Sequence, residues 1–230
     1  MNWLVDFAKS SIGAKVVMGA TGLVLVGFVV AHMLGNLQVF LGQDVLNAYA
    51  KTLHDLGPLL WIARLVLIGS VVLHIASGLR LASLNKAARP VRYAYESTVQ
   101  ASFASRYMRM SGLVVFAFIV YHLAHFTLGV THPEHQMLDS LGRPDVYSMV
   151  ILGFQQPLVA VSYIVAMVLL WFHLNHGASS LFQSLGLRHP NYNAVLDKVG
   201  PAVATLVVGG NIIMPLAILT GVIGADVGVN

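Results

Sequence analysis

The stretch Trp171–Gly186, WFHLNHGASSLFQSLG, lies near the end of a segment without Lys, Arg, Asp or Glu that runs from Val146 to Leu187. A charge-free segment of this kind predicts a membrane-spanning helix, which needs about 20 predominantly apolar residues. His173 and His176 lie three residues apart, so a helix presents both imidazoles on one face. Imidazoles in hydrocarbon cost free energy unless they have a partner. The pair is therefore a candidate for ligand binding.

The composition identifies an integral membrane protein. Hydrophobic residues make up 57% of the chain and charged residues 10%, whereas soluble domains carry about 25% charged residues. The chain has no cysteine, which excludes disulfides, covalently attached haem and thiolate-bound iron–sulfur clusters. The net charge of +4 comes from basic residues concentrated in loops, where membrane topology accounts for them, so we expect no nucleic-acid partner.

The hydropathy pattern predicts an all-α fold, an integral membrane bundle of five transmembrane helices that forms a single domain over residues 1–230. The predicted spans are about 16–42, 58–84, 110–130, 149–182 and 200–223. The fourth predicted span is longer than a bilayer requires, so we expect it to tilt or project. No internal repeat is evident at this level.

Five spans place the two termini on opposite sides of the membrane. One side then carries Lys9, Lys15, Arg80, Lys86, Arg89, Arg92, Arg106, Arg109, Arg188 and Lys198, and the other carries only Lys51, Arg64 and Arg143. Because basic residues concentrate on the cytoplasmic side, this bias predicts a cytoplasmic N-terminus and a C-terminus outside.

Depth along the spans divides four histidines into two pairs. At helical rise His32 lies roughly 25 Å past Lys15, and His122 roughly 20 Å past Arg109, in spans that run outward. His74 lies roughly 9 Å before Arg80 in a span that runs inward. The sequence thus predicts an outer pair, His32 and His122, and an inner pair, His74 and His176.

Two histidine pairs in a helical bundle favour two bis-histidine haems, because haem iron takes two axial ligands from facing helices. Zinc fits less well, since neutral histidines without carboxylates leave a divalent ion uncompensated in a low dielectric. For each histidine taken alone, the competing interpretation is a polar side chain bonded to a neighbouring carbonyl. The loop histidines His54, His132 and His135 are expected to be solvated.

Basic and polar residues near the predicted pairs are further candidates. Lys15, Ser105 and Arg106 lie at inner helix ends and Arg64 near the outer pair, where they could hold haem propionates. The competing interpretations are topogenic charge and a side chain that reaches the surface. The candidate quinone-site residues are Arg64, Trp61, Gln155 and Gln156, for which an interfacial anchor or a helix cap is the competing interpretation.

Four segments resemble the cytochrome b558 family, the dihaem, five-helix membrane-anchor C subunit of succinate dehydrogenases and fumarate reductases. They are AHM around His32, LHIASGLRL around His74, SGLVVFAFIVYHLAHF around His122 and HLNHGASSLFQSLG around His176. The resemblance implies two haems b ligated by His32, His74, His122 and His176, with His125 and His173 as neighbours.

The resemblance also implies the partners and the location. The dicarboxylate site would lie on a separate flavoprotein subunit, and an iron–sulfur subunit would exchange electrons with the inner haem. This chain would anchor the complex in lipid of the bacterial cytoplasmic membrane and react with quinone, usually menaquinone, in a respiratory chain. The complex could form a dimer or higher oligomer.

Three alternatives remain open from the sequence. The complex could run as a fumarate reductase rather than a succinate dehydrogenase. The chain could be the cytochrome b subunit of another respiratory enzyme, of hydrogenase or formate dehydrogenase type. It could also be a haem-free transporter with buried histidines as a proton relay, although the spans lack carboxylates.

Overall fold

The structure, a computed structural model, describes residues 2–88, residue 91 and residues 102–227. These residues form helices and connecting turns, with no β-strand among them. The α-helices are α1 Trp3–Lys9, α2 Ser11–Asn36, α3 Gln43–Asp55, α4 Pro58–Ala87, α5 Phe103–Arg106, α6 Met108–His122, α7 Val146–Gln155, α8 Pro157–Ser184 and α9 Asn193–Leu219. A 3₁₀ turn, Leu37–Leu41, extends α2, and a π-helical turn, Leu123–Thr127, extends α6.

Five helices in the described part of the chain are long and apolar enough to cross a membrane. Their bounds are Ser11–Leu41, Pro58–Ala87, Met108–Thr127, Pro157–Ser184 and Asn193–Leu219. Large apolar side chains on them are exposed, including Leu65 at 65%, Leu113 at 64% and Leu158 at 87%. Such exposure costs about 25 cal/mol per Å² in water but nothing comparable in hydrocarbon. The predicted all-α membrane fold is confirmed.

The second spanning helix begins where the sequence predicts. Gly57 has a φ of +52°, a left-handed conformation that glycine adopts without a steric penalty, and Pro58 is the first residue of α4. Proline is tolerated in the first turn because its missing N–H would have no intrahelical partner there. The pair therefore separates α3 from α4.

The predicted span 149–182 is two helices rather than one. Gln156 has a ψ of 114°, which is extended backbone, and it separates α7 from α8. The cause is Pro157, whose ring clashes with a helical conformation of the preceding residue. The spanning helix therefore begins at Pro157, and the preceding apolar helix α7 packs in a local core that includes Ile151 and Phe154.

The chain divides into two compact units. The first comprises Met1–Phe28, Arg64–Gly112 and Phe172–Ala204, and the second comprises Val29–Ala63, Leu113–Trp171 and Thr205–Asn230. His74, His173 and His176 belong to the first unit, and His32, His122 and His125 belong to the second. This grouping is the same as the one obtained from depth along the predicted spans. The predicted inner-side residues Arg89 and Arg92 lie outside the described residues.

In the second unit a buried amide ties α3 to the start of α7. The side chain of Asn47, 0% exposed, donates to Asp145 at 2.9 Å and to Asp139 at 3.2 Å, and it accepts from the backbone N–H of Tyr147 at 3.0 Å. Asp145 caps α7 by accepting from the N–H of Ser148 at 3.1 Å. The amide nitrogen and the amide oxygen of Asn47 thus both have partners, which connect α3 to the start of α7 and to the loop before it.

Candidate functional site

Two histidines face each other in the first unit. His74 on α4 and His173 on α8 have ring centroids 6.4 Å apart, with 66° between the ring planes. An ion bound to two imidazole nitrogens, each at about 2.0 Å, requires centroids about 6 Å apart. The spacing of this pair is therefore compatible with two imidazoles that ligate one metal ion between them.

Each of these imidazoles is held by a hydroxyl on a third or fourth helix. Nδ1 of His74 lies 3.3 Å from Oγ1 of Thr21 and 3.2 Å from the carbonyl of Met18, both on α2. Nδ1 of His173 lies 3.3 Å from Oγ of Ser111 on α6. The two histidines thus have the same kind of partner at the same ring nitrogen.

The hydroxyl protons are already used within their own helices, and this decides the direction of the bonds. Thr21 donates to the carbonyl of Val17 at 2.7 Å, and Ser111 donates to the carbonyl of Met108 at 3.1 Å. A hydroxyl has one proton to donate, so both oxygens act as acceptors toward the histidines. A carbonyl can only accept, so the Met18 carbonyl at 3.2 Å also favours a proton on Nδ1 of His74. A proton on Nδ1 is therefore the arrangement that satisfies these contacts, and it would leave the Nε2 lone pair of each histidine free to bind an ion.

Glycines beside the hydroxyls let the rings pack closely against the helix backbones. A Cβ at Gly22 would lie 3.3 Å from Cε1 of His74, and a Cβ at Gly112 would lie 3.3 Å from Cε1 of His173. Both distances are tighter than ordinary side-chain contacts. The two hydroxyl–glycine dipeptides, Thr21–Gly22 and Ser111–Gly112, therefore form equivalent docks for the two imidazoles.

Space lies one turn beyond each histidine of this pair. Gly78 and Gly177 follow His74 and His173 by four residues, which places each on the same helix face as its histidine. A Cβ at either glycine would have no atom within 4 Å. This open space is suited to the rim of a flat cofactor bound between the two rings.

A second histidine pair lies in the second unit. The ring centroids of His32 on α2 and His122 on α6 are 5.7 Å apart, with 87° between the planes. Phe118, Phe126 and Tyr163 surround His122, each with its ring centroid within 6 Å of it. Nδ1 of His122 is buried and has no hydrogen-bond partner among the described residues, so His122 lacks a hydroxyl acceptor of the kind that holds His74 and His173.

His125 neighbours the second pair without facing His32. It is 2% exposed, and its Nδ1 lies 3.0 Å from the hydroxyl of Tyr163. His125 belongs to the π-helical turn, where 4.4 residues complete a turn and three-residue spacing no longer keeps two side chains on one face. The hydrogen bond to Tyr163 and the π-helical turn together explain why the ring of His125 does not face His32.

His54 is exposed as expected, whereas the other two loop histidines differ from the expectation of solvated side chains, since His132 is half-buried and His135 is buried. His135 is 8% exposed and stacks on His132, with ring centroids 5.0 Å apart and 9° between the planes. Burial lowers the pKa of His135 below its ordinary value; the neighbouring Glu134 raises it and His132 lowers it. His132 also contacts His125, with centroids 5.1 Å apart.

The donor set fits a haem better than a metal ion bound by protein alone. Each pair supplies two imidazoles, and within the described residues no group of three or more His, Cys, Asp or Glu side chains could hold a metal ion. A tetrahedral zinc site needs three or four such ligands, whereas haem iron takes two axial ones. Each pair therefore offers the number of imidazoles that one haem iron takes.

The structure pairs His74 with His173, whereas the sequence prediction paired it with His176. Both histidines lie on neighbouring positions of one helix face, so spacing could not choose between them. A sequence signal was nevertheless present, because HIASG at 74–78 and HLNHG at 173–177 align on their glycines, which matches His173 to His74. No facing histidine contact is found for His176.

The alignment of these segments extends to an internal repeat, contrary to the expectation that the sequence has none. ATGLVLVGFVVAHM at 20–33 aligns without a gap with MSGLVVFAFIVYHL at 110–123, with 6 of 14 positions identical. Both copies have a hydroxyl–glycine dipeptide and then a histidine 11 residues after the hydroxyl, and each is followed by a helix with the HxxxG pattern. In the structure each histidine faces its own equivalent in the other copy.

The predicted propionate residues all belong to the first unit. Lys15 and Arg106 are exposed, and Ser105 and Arg64 are half-buried. The backbone N–H of Ser105 donates to the hydroxyl of Ser102, which caps α5. Arg64, predicted near the outer pair, is thus grouped with the pair formed by His74 and His173.

The predicted quinone residues are not brought together as one site. Trp61 is 61% exposed, Gln156 is exposed at the break before Pro157, and the amide of Gln155 donates to the carbonyls of Gly224 and Val227 at 2.9 and 3.2 Å. Gln155 therefore fastens the chain that follows α9, as its competing interpretation of a structural cap suggested.

A cavity of about 140 Å³ lies beside His32 in the second unit. Asn36 and Tyr49 are its polar lining residues besides the histidine, and Leu46, Ala50 and Leu53 supply apolar lining. A cavity of about 150 Å³ holds a single benzene ring. The space therefore has the size of one aromatic ring and not of a porphyrin.

Comparison of this chain with models of known protein families, with curated proteins and with solved structures finds no match.

Proposed function

We propose that this chain is the membrane-anchor cytochrome b subunit of a succinate:quinone oxidoreductase, of the dihaem, five-helix type. It passes electrons between an iron–sulfur subunit and quinone, in the direction of menaquinone reduction. The dicarboxylate chemistry lies on a separate flavoprotein subunit. The chain is a multi-pass protein of the bacterial cytoplasmic membrane.

The observation that carries the proposal is the presence of two facing histidine pairs on helices built to cross a membrane. The centroid distances of 6.4 and 5.7 Å suit axial ligation of one iron per pair. We assign His74 and His173 to one haem b and His32 and His122 to the other. His173 replaces His176 in this assignment because its ring is the one that faces His74.

The chain's own residues bind and orient the two groups. Haem iron supplies reversible one-electron transfer when it is bound. Thr21 and Ser111 hold the first pair with Nε2 free, and the aromatic rings of Phe118, Phe126 and Tyr163 exclude water around His122. A low dielectric around a haem is one of the means by which a protein sets its potential.

For quinone we propose the cavity beside His32. Its ring-sized volume and the hydroxyl and amide of Tyr49 and Asn36 suit a flat molecule with two carbonyl oxygens. This keeps quinone at the outer pair, as predicted from sequence, but replaces Gln155 with groups that line the cavity. Trp61, Arg64 and Gln156 do not line this cavity and are not part of the proposed quinone site.

The test is a dithionite-reduced minus oxidised spectrum of the purified chain, with haem quantified per chain. We expect two low-spin haems b. A colourless protein would favour the transporter alternative and overturn the proposal. One haem per chain would show that only one of the two histidine pairs binds haem.

Copurified partners test the rest of the proposal. A flavoprotein and succinate-reducible haem are expected in the complex isolated from membranes. Haem that is reduced by hydrogen or formate and not by succinate would assign the chain to the other cytochrome b class. If fumarate oxidises menaquinol-reduced haem and succinate does not reduce it, the complex works as a fumarate reductase and electrons flow from menaquinol to fumarate.

A further inference from the structure

We propose that Thr21 and Ser111 are positioning residues that fix the tautomer of the two inner ligands and thereby set the redox potential of the inner haem. The inference rests on the proposed function, because it concerns the haem assigned to His74 and His173. Neither residue was singled out by the sequence motifs that identify the ligands.

The geometry of the two docks is the first support. Nδ1 to hydroxyl distances are 3.3 Å at both docks, and in both the hydroxyl proton is donated to a carbonyl of its own helix. With its proton used in this way, the hydroxyl oxygen accepts the Nδ1 proton, and at His74 the carbonyl of Met18, which can only accept, lies 3.2 Å from the same nitrogen. The same arrangement occurs on two different helices, which a chance contact would not reproduce.

The two glycines are the second and independent support. Because Gly22 and Gly112 each leave a gap that a Cβ would close to 3.3 Å from a ring carbon, any larger residue would push the ring away from the hydroxyl. Each dock thus needs both members of its dipeptide.

The contrast with the second pair makes the inference specific. Nδ1 of His122 is buried with no hydrogen-bond partner, so the outer pair has at least one ligand without such an acceptor. An acceptor at Nδ1 increases the basicity of the imidazole, and a more basic ligand stabilises ferric over ferrous iron. Loss of the Ser111 acceptor at His173, and of one of the two acceptors at His74, where the Met18 carbonyl remains, should therefore raise the potential of the inner haem and leave that of the outer haem unchanged.

The experiment is a redox titration of the complex in membranes, followed optically and by EPR, for wild type and for Thr21→Val/Ser111→Ala. We expect the midpoint potential of the inner haem alone to rise by the equivalent of about tenfold in its one-electron equilibrium, or about 59 mV. Loss of the inner haem alone is the stronger form of the same result.

Two sets of variants separate this role from a general packing defect. Thr21→Ser and Ser111→Thr keep the acceptor and should keep the wild-type potential. Ser180→Ala removes a hydroxyl on α8 that donates only to the carbonyl of Gly177, at 3.2 Å, and should change nothing.

The outcomes distinguish this inference from the proposed function. If wild type contains both haems but the double variant leaves both potentials unchanged, or shifts both equally, the positioning role is wrong and the function stands. If wild type contains no haem, the function fails and the inference fails with it.

Discussion

At the scale of single residues, the choice between His173 and His176 shows what helical spacing can and cannot decide. Three-residue spacing correctly predicts a shared face, but neighbouring positions on one face can point at different partners. The structure turns the ring of His173 toward His74, where Ser111 holds it. The glycine-anchored pattern HxxxG carries this information in the sequence, because in both segments the glycine lies one turn beyond the histidine whose ring faces the other.

We therefore predict that His173→Ala removes the inner haem whereas His176→Ala retains both. The reason is that only His173 can supply the second axial nitrogen opposite His74. Haem per chain and the EPR signals of the two low-spin species give the measurement.

His125→Ala is the matched control in the second unit, since His125 bonds to Tyr163 and does not face His32. It should retain both haems. Loss of haem from His176→Ala, with retention in His173→Ala, would restore the sequence-based assignment.

At the scale of elements, the sequence predicted the spanning helices better than their connections. Apolar length determines a span, so the second helix begins at Pro58 as expected. Residues 149–182 were predicted as one span but form two helices. Hydropathy does not reveal this break, because it depends on the backbone restriction that Pro157 places on Gln156. The link between α3 and α7 was also not predicted, since the contact of Asn47 with Asp139 and Asp145 joins residues about 100 positions apart.

The ion pair in the loop before α7 should make stability depend on acid pH. Burial raises the pKa of Asp139, but hydrogen bonds from Arg143, Asn47 and Leu141 outweigh that effect and lower it from 3.8 to about 2. A lowered carboxyl pKa contributes stability that is present above the unfolded pKa and lost as the pH falls through the folded one. We expect the thermal midpoint in detergent to fall between about pH 4 and pH 2.

Asp139→Asn provides the comparison for this acid transition. It removes the titrating group, so its midpoint should be lower at neutral pH and flatter below pH 4. Parallel curves for the two proteins over this range would exclude Asp139 as the source.

At the scale of the whole molecule, composition alone was enough for the fold class. The chain has 57% hydrophobic residues and five charge-poor segments. Segments of this kind cross the membrane as helices, because a helix satisfies its backbone hydrogen bonds internally where no water is present. The facing of side chains inside each unit depends on rotation of each helix about its own axis, which hydropathy does not fix. This is why depth groups the histidines as the two units do, although the ring that faces His74 is that of His173 and not that of His176.

The predicted orientation can be tested with single cysteines, because the chain contains none of its own. Ser140 in the loop before α7 and Lys86 near the end of α4 are both exposed. The positive-inside bias predicts that a membrane-impermeant maleimide labels Ser140→Cys in intact cells. It should label Lys86→Cys only after permeabilisation, and the reverse pattern would invert the topology.

The duplicated pattern also has a consequence for ancestry. Each histidine contacts its counterpart in the other copy, which is the arrangement that a two-fold symmetric dimer of one helical hairpin would produce. A hairpin with a hydroxyl–glycine dipeptide, one histidine and an HxxxG helix would, on pairing with itself, already contain both binding pairs. The repeat in the sequence is what fusion of two copies of such a hairpin would leave, with later divergence of the copies and with α9 added to them.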